Sequence, residues 1–198
     1  MIESWTDKLA QFVCTHTKAD KQMFEIYKYG IEVTISTLLN VFCVMITSIL
    51  LSDVISGAVF LTVHFLIKPF VGGYHAKTYL MCNVLFVLVF LTSYISNSLF
   101  LKIDEVEFQK VIIESLFLLC LMPIIAFAPV RNQNKSLTDE EAKKYRIIGI
   151  TLSILVDWVG LILFFCNVKM GSLIIITLFM ISLMMLIDII RLRGGGKI

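Results

Sequence analysis

The stretch GGYHAKTYLMC, residues 72–82, places a histidine, His75, seven residues before a cysteine, Cys82, directly after two glycines. A thiol beside an imidazole is a nucleophile with its base. The imidazole takes the thiol proton, the sulfur attacks a carbonyl, and the proton is returned to the leaving group. Spacing alone does not bring the two into contact. On one continuous helix seven residues make two turns, so the side chains share a face but stand about 10.5 Å apart along the axis. A working pair requires the chain around His75 to leave helical geometry and fold back over the helix that carries Cys82. Gly72 and Gly73 supply that freedom. Side chains on a helix lean toward its N-terminus, so Cys82 points the right way. A helix N-terminus stabilises negative charge on a nearby thiol, and Lys68 and Lys77 add positive charge. Burial in lipid opposes ionisation, so such a site must be wet and open to one compartment. The alternative is a small hydrophobe inside a membrane helix and an incidental histidine. The spacing leaves both readings open.

The elements that must hold these residues are membrane helices. The chain has 198 residues, of which 58% are hydrophobic and 16% charged, and the charge is confined between long apolar runs. Stretches of about 20 apolar residues read as transmembrane helices. Six are expected, near 31–51, 54–70, 79–101, 108–129, 147–167 and 170–190; the second is short and carries His64 and Lys68. Charge sets the orientation. The N-terminus, the connection between spans two and three, the connection between spans four and five, and the tail together hold 14 of the 17 basic residues. The positive-inside rule then places both termini, and His75, on the cytoplasmic side. Residues 1–29 are too charged for a cleavable signal peptide. Ile2, Trp5, Leu9, Phe12 and Val13 recur at three-to-four spacing, which predicts an N-terminal amphipathic helix lying in the membrane interface. The expected organisation is a cytoplasmic amphipathic segment at 1–29, a single six-span domain at 30–190 and a tail at 191–198.

Other motifs narrow the function. The five cysteines form no CxxC pair, and His16, His64 and His75 are too scattered for a metal site. HExxH, GxSxG and glycine-rich phosphate loops do not occur. The sequence calls for no metal, cofactor or nucleic acid. Asp157 lies mid-span in the fifth helix, where an acid is costly; it is read as an imidazole orienter, a partner of a basic residue, or a packing residue. Pro123 should kink span four, and Pro129 suits its end. In SLTDEEAKKYR, Thr138 followed three residues on by Glu141 reads as a capping box. Arg131 and Lys135, in the loop before it, are placed to attract acidic groups. Asp188, near the inner end of span six, reads as interfacial or helix-pairing.

The stretch KPFVGGYHAKTYLMC resembles the signature of the accessory gene regulator protein B family, and length, span count and the cytoplasmic loop extend the resemblance over nearly the whole chain. Those proteins are membrane cysteine endopeptidases of Gram-positive bacteria that process quorum-sensing propeptides. The resemblance implies that His75 and Cys82 are the catalytic pair and that Gly73 is a motif glycine. Lys68 stands where the family usually has arginine, keeping the charge without the bidentate fork. Lys68, Gly72, Gly73, Lys77, Arg131 and Lys135 are the expected site-shaping and substrate-binding residues. The implied partners are a propeptide and the bilayer, with a homodimer compatible with the family, and the implied reaction is tail removal followed by cyclisation to a thiolactone or lactone. A small transporter and a non-enzymatic membrane scaffold are the competing readings. The charge asymmetry is checked by alkaline phosphatase fusions. A fusion after Ile198 should be inactive and one between Lys102 and Glu105 active; the opposite pattern would invert the topology.

Overall fold

The computed structural model describes residues 6, 9, 11–15, 21–73, 78–130 and 138–193. Six helices account for most of them: α1 (Lys21–Leu50), α2 (Val54–Val71), α3 (Tyr79–Phe100), α4 (Val106–Phe127), α5 (Asp139–Phe165) and α6 (Met170–Arg193). Each is long and apolar enough to cross a membrane. No strand occurs among the described residues. This is an all-helical, multi-pass membrane protein, and helices suit the bilayer because they satisfy their backbone polar groups internally.

The observed spans match those expected except at two N-termini. α1 starts at Lys21, and α5 at Asp139, each well before the apolar run that betrays it. Both extensions are polar, so a search for apolar stretches passes over them. That of α5 is fixed by the capping box: Thr138 Oγ1 accepts from the Glu141 amide at 3.3 Å, and the Thr138 amide donates to Glu141 Oε2 at 2.9 Å. Pro123 lies inside α4 without ending it, and Pro129 follows the helix end through a cis Ala128–Pro129 peptide.

The chain divides into two compact units, Met1–Cys43 and Val44–Ile198. The first holds most of α1. Before it, residues 6, 9 and 11–15 are helical, and the Thr6 hydroxyl donates to Glu32 Oε1 at 3.4 Å. Leu9 and Phe12 of the expected apolar stripe are exposed. Ile2 and Trp5 lie outside the described residues.

The second unit is built around α6, which packs against α2, α3, α4 and α5. Every residue from Gly171 to Leu178 is buried, as expected of a helix that is apolar all round. The tight return from α5 into α6 depends on Gly171, where a Cβ would collide with the backbone of Phe164 and Gly160. Two polar contacts cross the bundle. Ser172 Oγ donates to Asn97 Oδ1 at 2.6 Å, and Cys120 Sγ donates to Asp157 Oδ2 at 3.2 Å. Asp157 is fully buried, so its partner is a thiol on α4. His64 is buried among Phe60, Phe65 and Phe86, with its ring centroid 4.6 Å from that of Phe86.

One apolar core runs along the bundle toward the end of α2. It joins Val63, Ile67 and Val71 of α2, Cys120 and Ile124 of α4 with Ala128 and Val130 beyond it, and Ile174, Leu178, Ile181 and Met185 of α6. Near the same end a Cβ on Gly149 of α5 would lie 3.2 Å from the Phe70 side chain, so α5 approaches α2 closely. Overpacking at the α5–α6 corner should cost about 1–3 kcal/mol. Gly171→Ala is therefore expected to lower the thermal midpoint of the detergent-solubilised protein by several degrees. Gly30→Ala, where a Cβ meets nothing within 4 Å, should leave it unchanged or raised. Equal midpoints for the two variants would contradict this packing.

Candidate functional site

Five chain segments meet at one end of the Val44–Ile198 unit: the end of α2, the start of α3, the end of α4, the start of α5 and the end of α6. At the glycine pair the end of α2 meets the segment after α4 and the end of α6. α2 ends with the Gly72 amide donating to the Lys68 carbonyl at 2.9 Å. Gly72 then adopts φ 81°, ψ −160°, a region that residues with a Cβ essentially never occupy. A Cβ there would also lie 2.8 Å from the Val130 carbonyl oxygen. With that side open, the Val130 amide donates to the Val71 carbonyl at 3.0 Å, tying the segment after α4 to the end of α2. Gly73, at φ 136°, is buried against α6, where a Cβ would stand 3.7 Å from the Met185 amide nitrogen. The glycine freedom expected from the sequence is thus used twice, once for backbone conformation and once for close approach.

α3 begins after an extended N-cap residue, Thr78, whose hydroxyl accepts from the Met81 amide at 3.3 Å. Cys82 follows in the first turn, its amide donating to the Thr78 carbonyl at 3.0 Å, and it is half-buried. α3 therefore begins at Tyr79, after the extended Thr78. His75 and Lys77 lie outside the described residues, as do Arg131 and Lys135.

Lys68, half-buried in the last turn of α2, has two anionic groups within electrostatic range. They are the Cys82 thiol in its ionised form and the Asp188 carboxylate on α6. Of the expected site residues, Lys68, Gly72, Gly73 and Cys82 are thus brought together. Asp188, read from the sequence as an interfacial or helix-pairing residue, lies within electrostatic range of Lys68 on α2. Nearby, Arg146 of α5 forks onto the free carbonyls at the end of α4, with Nη1 donating to Ala128 at 3.0 Å and Nη2 to Ile125 at 2.8 Å. Beside it opens a groove of about 370 Å³, walled by Phe127 and Pro129 on one side and by Ala142, Lys143 and Arg146 on the other. Among the described residues no group of three or more His, Cys, Asp or Glu side chains is gathered to hold a metal ion.

A family model described as accessory gene regulator B matches residues 6–187. The chain belongs to the accessory gene regulator B family. No curated protein and no solved structure shows significant similarity to it. The accessory gene regulator B family is known for propeptide processing in quorum sensing, carried out at the membrane. The match spans the glycine pair, Lys68 and Cys82, and stops one residue short of Asp188.

In this accessory gene regulator B chain the two glycines should differ in tolerance. Gly72→Ala meets both backbone strain and the Val130 carbonyl, whereas Gly73→Ala meets strain alone. Each strained position costs about 1–3 kcal/mol, and the collision adds to the first. Propeptide processing in membranes should therefore fall further for Gly72→Ala than for Gly73→Ala at matched protein levels. The reverse order would contradict the Val130 contact.

Proposed function

We propose that this protein is a membrane cysteine endopeptidase that removes the C-terminal tail of an autoinducer propeptide and promotes cyclisation of what remains. The observation that carries the reading is the family match over 6–187 together with the placement of Cys82. That thiol sits in the first turn of a helix, half-buried, with Lys68 within electrostatic range.

The reaction is a double acyl transfer. His75 takes the Cys82 proton, and the sulfur attacks a backbone carbonyl of the propeptide. The peptide C–N bond breaks, the tail amine leaves with the proton from His75, and the upstream peptide remains as a thioester on Cys82. A cysteine or serine within that peptide then attacks the thioester, its proton passing through His75 to the departing Cys82 sulfur. The product is a thiolactone or lactone still joined to its N-terminal leader. No electrons are transferred and no water is consumed. Exclusion of water from the acyl-enzyme favours ring closure over hydrolysis, and a site at the membrane edge assists this.

The remaining roles follow from charge and position. The first turn of α3 presents backbone N–H dipoles beside the attacking sulfur, where negative charge develops on the carbonyl oxygen. The groove between Pro129 and Lys143, whose charged lining is Asp139, Lys143 and Arg146, receives the leaving tail, and the charges of Arg131, Lys135 and Lys77 attract acidic groups of the substrate. The site faces the bacterial cytoplasm with both termini, residues 1–29 act as an interfacial anchor, 30–190 form the catalytic membrane domain, and the protein works as a homodimer.

The deciding experiment is intact mass spectrometry of a candidate propeptide co-expressed with the wild type or with Cys82→Ala. The wild type should yield a tail-less peptide one water lighter than its hydrolysed form, and the variant should leave the precursor whole. Equal processing by both would remove Cys82 from the mechanism and with it the peptidase reading.

A further inference from the structure

Asp188 is not used by the reaction described above, yet it belongs to the same cluster. Three helices contribute to that cluster at one bundle end: α2 with Lys68, α3 with Cys82 and α6 with Asp188. Their relative placement is fixed by backbone contacts. Gly72 closes α2 onto the Lys68 carbonyl, and Gly73 lies directly against α6 at Met185. Asp188 follows Met185 by three residues, which puts it on the same face of α6 one turn closer to the helix end. Lys68 stands one turn beyond the buried His64 on α2. It is half-buried, and its long side chain has freedom to swing its charge out to the headgroups.

We propose that Asp188 is a positioning residue that keeps the Lys68 ammonium turned inward, facing the Cys82 sulfur. The inference rests on Cys82 being the nucleophile. An ammonium at a membrane edge follows whatever anion is available to it. With Asp188 present, an inward orientation has a permanent counter-charge whether or not Cys82 is ionised. Lys68 is then in place to stabilise negative charge on the sulfur when the proton leaves, and on the carbonyl oxygen as the sulfur attacks. Without Asp188, the inward cation has only an intermittent partner and moves to water. The two anions thus act in sequence on one cation. The carboxylate holds it between turnovers, and the sulfur shares it during attack. His64 also lies within electrostatic range of Lys68, but its ring is packed among Phe60, Phe65 and Phe86.

The two possible effects of removing Asp188 have opposite signs. If the carboxylate were merely another negative charge near the thiol, its loss would make Cys82 more reactive. If it positions Lys68, its loss makes Cys82 less reactive. The test is the rate at which iodoacetamide alkylates Cys82 in native membranes near neutral pH, read by mass spectrometry of the peptide that carries it, with no propeptide present. Asp188→Asn and Lys68→Met should each slow labelling about tenfold, the effect expected when an opposite charge beside an ionising group is lost. The double variant should be no slower than Lys68→Met alone, and Asp188→Glu should label at close to the wild-type rate. Buried Cys120 reports on folding, since it should stay unlabelled in every intact variant. Should Asp188→Asn expose it, Asp188→Ser takes its place. Wild-type or faster labelling after loss of the carboxylate overturns the proposal, as does additivity in the double variant. These outcomes are independent of peptide processing. A Cys82→Ala variant that still processes propeptide would sink the peptidase reading while leaving the labelling result standing.

Discussion

The bond from the Val130 amide to the Val71 carbonyl, 3.0 Å long, is the joint on which the functional end of the bundle depends. It joins the exit of α4 to the exit of α2, and it forms because residue 72 has no side chain to stand between them. Inside a bilayer a chain cannot leave a helix freely, since each exposed backbone group needs a partner. At the membrane edge that requirement becomes a construction tool. Gly72 returns its amide to α2, Val130 takes the next carbonyl, and Arg146 covers the carbonyls left at the end of α4. With these groups satisfied, the chain can turn back from α2 into α3 and present Cys82 at a helix start.

Two kinds of cohesion divide the molecule. Along most of its length, α6 is held by apolar packing and by close contacts at small residues, with two buried polar pairs, Asn97–Ser172 and Cys120–Asp157, joining helices that lipid alone would not join. At the functional end, charged side chains join an apolar packing that continues through Val71, Val130 and Met185. Lys68, Asp188, Lys143 and Arg146 gather where water and headgroups can still screen them. Charge gathers there because an unpaired charge is costly in the middle of the bilayer.

Much of this was legible in the sequence, for identifiable reasons. Apolar runs located the six spans because a bilayer demands length and little else. The capping box at Thr138 was legible because the signal is local, three residues apart on one turn. The polar first turns of α1 and α5 were not, since nothing in their composition separates helix from loop. Asp157 was read as an imidazole orienter, a partner of a basic residue or a packing residue, and the fold buries it and gives it Cys120. Asp188 was read as a helix-pairing residue because its relation to Lys68 spans 120 residues of chain. Only tertiary structure brings those two together. For His75 and Cys82 the sequence required a break in helical geometry between them, and the extended cap at Thr78 is such a break.

The helix that all the others in the Val44–Ile198 unit share is also the last of them to be made. α2 to α5 leave the ribosome before α6; α5 has α2 and α4 to pack against, but all four also pack on α6. Chains fold from the N-terminus as they are synthesised, so four membrane segments must wait in lipid without their common partner. During that interval Asp157 has Cys120 to bond with, but Asn97 lacks Ser172 and Lys68 lacks Asp188. The arrival of α6 then closes the core and completes the charge cluster in one event. A chain that stalls before its last span therefore lacks both the closed core and the carboxylate within range of Lys68.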